Sequence, residues 1–519
     1  MRNKILFGQE AVSEIRKGIN ITHKAVAATL GAAGKNAFYR SYFSRNPMVT
    51  NDGVSIAMMV NLEDEAQAMG ADFIKQSALR TNDEAGDGTT TNVILAKAMV
   101  DRGFEKIEAG ANAMILKREI GEAVQKVVAQ IKKRAKPVKN DEELFQVANL
   151  SMENSEVAKI VADSVKWVGE NGSVIVQESS GTKLVKEEEE GMSFDSGYLS
   201  NYVVTDTEKM QAVLENTHVI VTDKMFSVNN DIFPLLNTLF EKGAKHCLLI
   251  CDSVQGEVLT SFVQNRLKGV FNFVIVKKPD DMDILEDIAT VTGAEMLTQD
   301  KVPGGLIPLH FNSLGFAKHV VVTAKNTLIF GGAGKREKID ERVKAIKTLI
   351  KECDSSHKKE QLKERLARFV GRVVVLKVGA PTEGEMQYLK LKVDDAVAAT
   401  RAALEEGVVM GGGKTLYEIA SAEVPETLGE DVVYYACQQP IRKIIENAGF
   451  KPDEIVPFLK DGEVWNAITT KTCKNPLEVG IIDPAKVERC ALENAASMAQ
   501  VLVTVETMFV PVPEKKPSA

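Results

Sequence analysis

Apolar residues along this chain change their period twice, and that change restricts the possible folds more than any single residue does. From about 8 to 133 the period is helical: Ile15, Ile19, Val26 and Leu30 recur on one face, and Gly31 and Gly34 follow as stop signals. A second helix starts after the run Gly86–Thr91, with Ile94, Leu95, Ala98 and Met99 on one face and threonines at its amino end. Between about 191 and 373 short apolar runs such as HCLLIC and FNFVIV alternate with helical stretches, the pattern of an α/β domain. Near the end of that block, Ile339, Val343, Ile346 and Ile350, then Leu362, Leu366 and Phe369, predict a helical hairpin joined at DSSH. The strand-like VVVLKVG at 373–379 leads through GAPTEGE into a helix carrying Val393, Val397 and Leu404, and helix dominates from there on. An α-rich start, an α/β middle and an α-rich end predict a discontinuous multidomain α/β protein whose first and last thirds pack together. A length of 519 residues allows roughly three such domains.

Charge and cysteine usage then remove several function classes. With 72 acidic against 64 basic side chains the net charge is -8, so no overall field draws in phosphate backbones or anionic lipid, and neither nucleic acid nor membrane is expected as a partner. The six cysteines form no CxxC pair and no zinc-finger spacing, which fits reduced thiols in the cytoplasm. The amino-terminal MRNKILFGQEAV has no apolar signal region, and no run approaches a membrane span. The six histidines form no ligand motif such as HExxH and read as structural, and the run KEEEE at 186–190 reads as a solvated charged stretch without a function.

Three segments have the composition of a chemical site. Gly86-Asp87-Gly88-Thr89-Thr90-Thr91 combines glycines that permit close backbone approach, a carboxylate and three hydroxyls at a helix start. Backbone N–H groups and the helix dipole there favour a phosphate, and Asp87 can hold Mg²⁺. An Asp or Thr cap on an ordinary helix explains the same residues. Gly411-Gly412-Gly413-Lys414-Thr415 resembles part of a P-loop, but the pattern needs glycine at 408, where Val408 stands, and a helix is expected before it rather than a strand. It is either a plain glycine turn or a backbone surface for nucleotide. Asp394 and Asp395 lie within a predicted helix, a place where Asp has low propensity. They are either a solvated face or a carboxylate aimed at an attacking water.

In order along the chain, TLGAAGKN at 29–36, TNDGVS at 50–55, AGDGTTT at 85–91, FDSGYLSNY at 194–202, DDAVAATRAALEEGVVMGGG at 394–413 and GIIDPAKV at 480–487 resemble the group I chaperonins, the bacterial GroEL-like family. FDSGYLSNY favours group I over the archaeal and eukaryotic group II. The resemblance implies a chaperonin fold with an α-helical equatorial ATP-binding domain at 1–133 and 407–519, a small intermediate hinge domain at 134–190 and 374–406, and an α/β apical polypeptide-binding domain at 191–373. It implies an ATPase coupled to protein folding, with ATP and Mg²⁺ as cofactors and K⁺ as an accessory ion. The implied partners are unfolded client polypeptides, a small GroES-like co-chaperonin lid and further copies of the chain in two stacked seven-subunit rings. Carried over by position, Thr29, Leu30, Gly31, Ala32 and Asn51 would line the nucleotide. Asp87, Gly88, Thr89, Thr90 and Thr91 would hold phosphates and metal, and Gly412, Asn466, Ala467 and Asp483 would bound the nucleoside. Asp395 would position the attacking water with Asp52 nearby. Tyr198, Tyr202, Phe233, Leu236, Leu259 and Val263 would bind unfolded polypeptide, although core packing is the alternative for each.

The chain also departs from that family. Asn51 replaces a usual Lys and Ala32 a usual Pro, Gln264 stands at an apolar apical position, DDMD shortens the segment after VIVKKP, and PVPEKKPSA replaces a Gly- and Met-rich tail. These changes suggest a divergent member, and they keep open a polypeptide-binding scaffold without turnover. A metabolic kinase is disfavoured by the failed P-loop pattern.

Overall fold

Two glycines allow the helices at the amino end to cross at backbone contact. The computed structural model describes residues 2–40, 47–152, 154–169, 172–179, 181–206, 210–227, 233–241, 243–267, 271–298, 313–353, 356–369, 371–476 and 479–512. Strand β1 (Arg2–Phe7) runs into α1 (Gly8–Ala27), and β2 (Ala37–Arg40) pairs antiparallel with β3 (Pro47–Thr50). Helices α2 (Gly53–Met59), α3 (Glu65–Ala85), α4 (Thr89–Glu108), α5 (Ala113–Arg134), α6 (Asp141–Ser151) and α7 (Ser155–Val168) follow. A Cβ on Gly18 of α1 would stand 1.9 Å from the Gln67 carbonyl of α3, and one on Gly70 of α3 would stand 2.3 Å from the Ile15 carbonyl of α1. Any side chain at either position would therefore push the two helices apart.

The middle of the chain supplies β4 (Ser173–Glu178), β5 (Val185–Phe194), β6 (Ala212–Val221), β7 (Met225–Phe226), α8 (Phe233–Glu241), β8 (His246–Cys251), β9 (Ser253–Val254) and α9 (Gly256–Leu267). It continues with β10 (Asn272–Lys277), α10 (Met282–Thr292), β11 (Gly315–Val322), β12 (Thr327–Gly332), α11 (Arg336–Glu352), α12 (Ser356–Phe369) and β13 (Gly371–Val378). The last part holds α13 (Glu383–Glu406), β14 (Val408–Met410), α14 (Lys414–Ala422), α15 (Leu428–Cys437), α16 (Gln439–Asn447), α17 (Pro452–Ile455), β15 (Val464–Asn466), β16 (Lys471–Cys473), β17 (Ile482–Pro484), α18 (Ala485–Leu502) and β18 (Thr507–Val512).

The chain divides into two compact units. One comprises Met1–Lys166, Val176–Val185 and Lys377–Ala519, and the other Trp167–Ile175 and Lys186–Leu376. In the first, β1 pairs antiparallel with β18, so the two ends of the described chain lie side by side. Leu6, Met508 and Val510 of this pair are buried, while Ile5, Phe7 and Phe509 alternate outward, the period of two expected of a strand. The α1, α3, α4, α5, α15 and α18 helices share one core, and α18 is buried almost all round because it lies at the centre. Asn92 of α4 locks this core. Its side chain is fully buried, it donates to the Ala491 carbonyl of α18 at 3.0 Å, and its oxygen accepts from Ser77 Oγ of α3 at 3.0 Å.

In the second unit an eight-stranded mixed sheet has the order β10-β8-β6-β11-β12-β5-β13-β4. The runs HCLLIC and FNFVIV are continuous in hydrophobicity because both faces of β8 and β10 are covered. Leu248, Ile250, Val274 and Val276 join Leu285, Ile288, Ile346 and Phe369 from α10–α12 in one core. Cys247, Leu249, Cys251, Phe273 and Ile275 join Leu239, Val258 and Phe262 from α8 and α9 in another. Fully buried Asp287 of α10 accepts from Arg342 Nε of α11 and Arg365 Nε of α12, each at 2.6 Å, and so ties the helical hairpin to the sheet.

Two sequence expectations need correction. The charged run 186–190 belongs to strand β5, and its side chains are paired rather than simply solvated: Lys186 with Glu188, Glu189 with Lys318, Glu190 with Arg336. A short strand, β14, comes between α13 and the Gly411–Gly413 turn, where the sequence pattern suggested helix alone. His310, residues 354–355 of the DSSH turn, residues 513–519 and the side chains of Leu236, Val263 and His357 lie outside the described residues.

Replacing the buried amide that joins α3, α4 and α18 tests this packing. Asn92→Ala should lower stability by about 2–3 kcal/mol, because it leaves the buried Ser77 hydroxyl without its acceptor and removes the amide bond to the Ala491 carbonyl. Denaturant unfolding at fixed protein concentration measures it, with Gln500→Ala, at a half-exposed site on α18, as a milder reference.

Candidate functional site

The α3–α4 connection is built from two glycines in left-handed backbone, Gly86 at φ 71° ending α3 and Gly88 at φ 84° opening α4. A Cβ on Gly86 would lie 2.2 Å from Ala398 Cβ of α13, and one on Gly88 2.6 Å from Val487 Cγ1 of α18. The last third of the chain thus presses directly on this loop. No side chain caps α4, so its first-turn N–H groups and dipole make an anion-favouring helix start. The cap reading of this segment does not hold for its threonines.

Four aspartates reach this helix start from four different elements. Asp87 accepts from Gly88 N–H at 2.6 Å. Asp52 caps α2 by accepting from Val54 N–H at 3.3 Å and Ser55 N–H at 2.7 Å. Its neighbour Gly53 lies so close to α4 that a Cβ there would meet Thr90 Oγ1 at 2.5 Å and Thr89 Oγ1 at 2.7 Å. Asp395 extends from α13. Asp483 sits on β17 opposite Val409 of β14 and accepts from Gly412 N–H at 3.0 Å.

The electrostatics bind these residues into one site. Burial raises the Asp395 carboxyl well above the usual range, and the Asp87 and Asp52 carboxylates add to the rise while Lys392 opposes it. Burial also raises Asp87, with Asp52 adding to the rise and the Gly88 N–H and Lys392 opposing it. Asp483 is pushed up to about 6 by burial and by Asp87, against the N–H groups of Gly412 and Gly413. Behind it, Glu488 of α18 is buried, neither of its oxygens has a hydrogen-bond partner among the described residues, and burial followed by Asp483 raises it well above the usual range. Such a set of mutually repelling carboxylates at an uncapped helix start suits a cation that arrives together with an anion. Among the described residues no group of three acidic, histidine or cysteine side chains can hold a metal by itself.

The remaining candidates form a second group. Thr29 is buried, with Oγ1 donating to the Val26 carbonyl at 2.8 Å, and Gly31 at φ 82° turns the chain past exposed Ala32. Asn447 Nδ2 of α16 donates to the Ala27 and Leu30 carbonyls at 2.9 and 3.0 Å, fixing this turn. Ala467 packs against the cluster that includes Ile441, Ile445 and Trp465, and Asn466 Oδ1 accepts from the N–H groups of Ile468 and Thr469 at 2.9 Å. The turn after α1 is thus tied to α16, whereas the bonds of Asn466 are local. Gly413 connects the groups, because a Cβ there would meet Ile441 N at 2.6 Å. Lys414 is no P-loop lysine: it is buried, with Nζ 3.4 Å from Glu418 Oε1. Half-buried Asn51 and Thr91 flank Asp52 and Thr90 in sequence.

In the α/β unit, Tyr202 is 66% exposed, whereas Tyr198, Phe233 and Leu259 are partly buried against its cores. Leu199, Met210 and Phe240 are further exposed apolar residues that the sequence reading did not single out. Nor did it single out Lys392 and Glu488. Lys392 was visible as a cation three residues before Asp395, while nothing in the sequence marks Glu488 as buried.

An α/β unit whose two segments interrupt a three-segment helical unit, which carries converging carboxylates at an open helix start, defines a multidomain chaperonin fold. Residues 23–512 match the TCP-1/cpn60 chaperonin family model, and the chain belongs to that family, whose members serve as chaperones. Two crystal structures of the chaperonin gp146 from the bacteriophage EL 2 (Pseudomonas aeruginosa), both in the presence of ATP-BeFx, are similar in fold. Crystal form II has a TM-score of 0.68 and 20% identity, and form I has 0.64 and 21%. Each comparison covers 98% of this chain and 99% of the phage protein. No described helix is long and apolar enough to cross a membrane.

Glu488 gives this site a pH signature. Unfolded, its carboxyl titrates near about 4.3, and folded it titrates higher, so the folded state holds an extra proton between the two values and loses stability as pH rises through them. Glu488→Leu removes that loss. Its thermal unfolding midpoint should exceed the wild-type value more at pH 8 than at pH 4.5, with a gain of roughly 1–3 kcal/mol at the higher pH.

Proposed function

We propose that this chain is an ATP-driven folding chaperone of the group I type. The observation that carries the reading is the convergence of Asp52, Asp87, Asp395 and Asp483 on the uncapped start of α4. Thr29, Leu30, Gly31, Ala32 and Asn51 would line the nucleotide, Gly412, Asn466, Ala467 and Asp483 would bound its nucleoside, and Gly88, Thr89, Thr90 and Thr91 would meet its phosphates. Magnesium commonly binds one or two carboxylates together with substrate phosphates, and Asp87 would hold it; bound there, it would offset phosphate charge. Potassium would accompany it. Asp395, with Asp52 beside it, would orient the attacking water, and its raised affinity for protons suits a group that accepts one as the water oxygen bonds the γ-phosphorus and the bond to the β–γ bridging oxygen breaks, releasing ADP. The presence of ATP-BeFx in the gp146 crystals is consistent with this assignment.

The domain reading divides the chain three ways, and its intermediate part takes residues from both compact units. Residues 1–133 and 407–519 form the equatorial domain, 134–190 and 374–406 the intermediate hinge, and 191–373 the apical domain. The apical domain would capture unfolded polypeptide on Tyr198, Tyr202, Phe233, Leu236, Leu259 and Val263, since apolar burial gains roughly 25 cal/mol per Å² without demanding a sequence. Clients would fold inside a cavity closed by a lid, in cytoplasmic double rings of seven subunits. The outward-facing Phe7, Phe38, Val49 and Phe509 on two-stranded ribbons support subunit contacts. The replacements at Asn51 and Ala32 favour a second reading, a scaffold that binds polypeptide without turnover.

Asp395→Ala should lower the steady-state ATPase rate about 10²-fold to 10⁴-fold and leave nucleotide affinity nearly unchanged, because its contact is with the water. Asp87→Ala should weaken both. Calorimetric titration beside a phosphate-release assay distinguishes them, and Asp395→Ala turning over at the wild-type rate rejects the assignment. A wild-type chain that captures polypeptide but releases no phosphate is the scaffold.

Client capture has its own test. Tyr202→Ser, Phe233→Ser and Leu259→Ser should each reduce binding of an unfolded protein several-fold while the ATPase rate stays within about twofold. Exposed Tyr202 serves as the variant least able to disturb the fold, and unchanged capture in all three moves the binding face elsewhere.

A further inference from the structure

The site assembles negative charge and is proposed to take up an ion with more of it, so a cation belonging to the protein should stand there. The two loops that carry Asp52 and Asp87 supply none. Thr50-Asn51-Asp52-Gly53 and Gly86–Thr91 contain no basic residue, and the ammonium of Lys414 is buried beside Glu418. Lys392 has the required position. It precedes Asp395 by three residues on α13, so the two side chains share a helix face. The contact between Gly86 and Ala398 holds that helix against the loop carrying Asp87. Its charge reaches both Asp87 and Asp395 and opposes the rise that burial imposes on each. Yet Lys392 forms no salt bridge with either one among the described residues, and its Nζ lies 5.9 Å from the centre of the Tyr388 ring, one turn earlier. The ammonium therefore stands near two carboxylates and is committed to neither, at a half-buried position.

We propose that Lys392 is a further catalytic residue, whose ammonium meets the terminal phosphate of the bound nucleoside triphosphate from the same helix face that carries Asp395. The inference rests on reading the site as an ATPase centre. Lysine acts on phosphate as a compact point charge, and a contact with the γ-phosphate alone distinguishes the triphosphate from the diphosphate. It also lets the element that brings the hydrolytic carboxylate bring the compensating charge with it, so neither arrives without the other.

The test uses the full-length chain with Lys392→Gln and Lys392→Arg, measuring ATP and ADP affinity by calorimetry and phosphate release in a single turnover. Lys392→Gln should slow hydrolysis by about 10²-fold and weaken ATP by about tenfold, with ADP affinity within twofold of wild type, as for removal of one electrostatic contact to developing charge. Lys392→Arg should recover most of both. Wild-type hydrolysis in Lys392→Gln, while Asp395→Ala is inactive, overturns the role of Lys392 and leaves the ATPase reading intact. Equal loss of ATP and ADP affinity in Lys392→Gln overturns it in favour of a general structural effect. A wild-type chain that does not hydrolyse ATP, or an Asp395→Ala variant at full rate, overturns the ATPase reading and this inference with it.

Discussion

A single buried amide governs the helical unit. Asn92 follows the threonines of the α4 start, and its side chain joins that start to α18 through Ala491 and to α3 through Ser77. Its own N–H donates to the Gly88 carbonyl at 2.9 Å, in the first turn of the helix. A buried amide must find its partners or lose several kilocalories per mole of solvation, so this geometry admits little slack. The position of Asp87 relative to Asp483 and Glu488 follows from it, because Gly88 rests on Val487 and both acidic residues flank that contact along the chain. Asn494 repeats the device about one turn further along α18, donating to Thr81 Oγ1 at 3.2 Å and Glu84 Oε2 at 3.1 Å.

On that frame the carboxylates are placed against their own electrostatic preference. Burial raises the proton affinity of Asp395, Asp87 and Asp483, Asp87 adds to the rise at the other two and Asp52 to that at Asp87, and Glu488 adds a fourth buried acid without a hydrogen-bond partner among the described residues. A unit selected for stability alone would replace several of them, as most buried unpaired charges can be replaced by apolar groups at a gain. Their retention makes sense if a cation and a phosphate complete the arrangement. Lys392 supplies part of the missing charge, and a helix start free of side-chain caps supplies the rest through its amides.

The α/β unit solves a different problem. Its sheet is covered on both faces, by α10–α12 on one and α8–α9 on the other, and Asp287 fixes the first layer through two arginines. Stability therefore does not require α8 and α9 to hide every apolar side chain they carry. Phe233 and Leu259 are anchored at their bases in the core and partly exposed beyond it, and Tyr202 and Phe240 project further. Rigid backing with apolar groups left outside is what a surface for unfolded chains needs.

The sequence by itself determined the element types and the order of the parts. Period-3.6 and period-2 patterns are local, so the α1 face with Ile15, Ile19 and Val26 and the strands HCLLIC and FNFVIV were legible, as were the glycines and acids of the 86–91 loop. Local pattern failed where long-range pairing decides. The run 186–190 looks like a solvated stretch because its charges are visible and their partners Lys318 and Arg336 are more than a hundred residues away. The three residues of β14 are strand only because β17 lies beside them. The same limit held in the site, where sequence could nominate Asp52, Asp87, Asp395 and Asp483 one by one. Only the tertiary structure brings residues so far apart close enough for one carboxylate to shift another's proton, turns Lys414 inward to Glu418, leaves Lys392 without a salt bridge among the described residues, and buries Glu488. Burial and Coulomb energy depend on distance in space, which no spacing along the chain encodes.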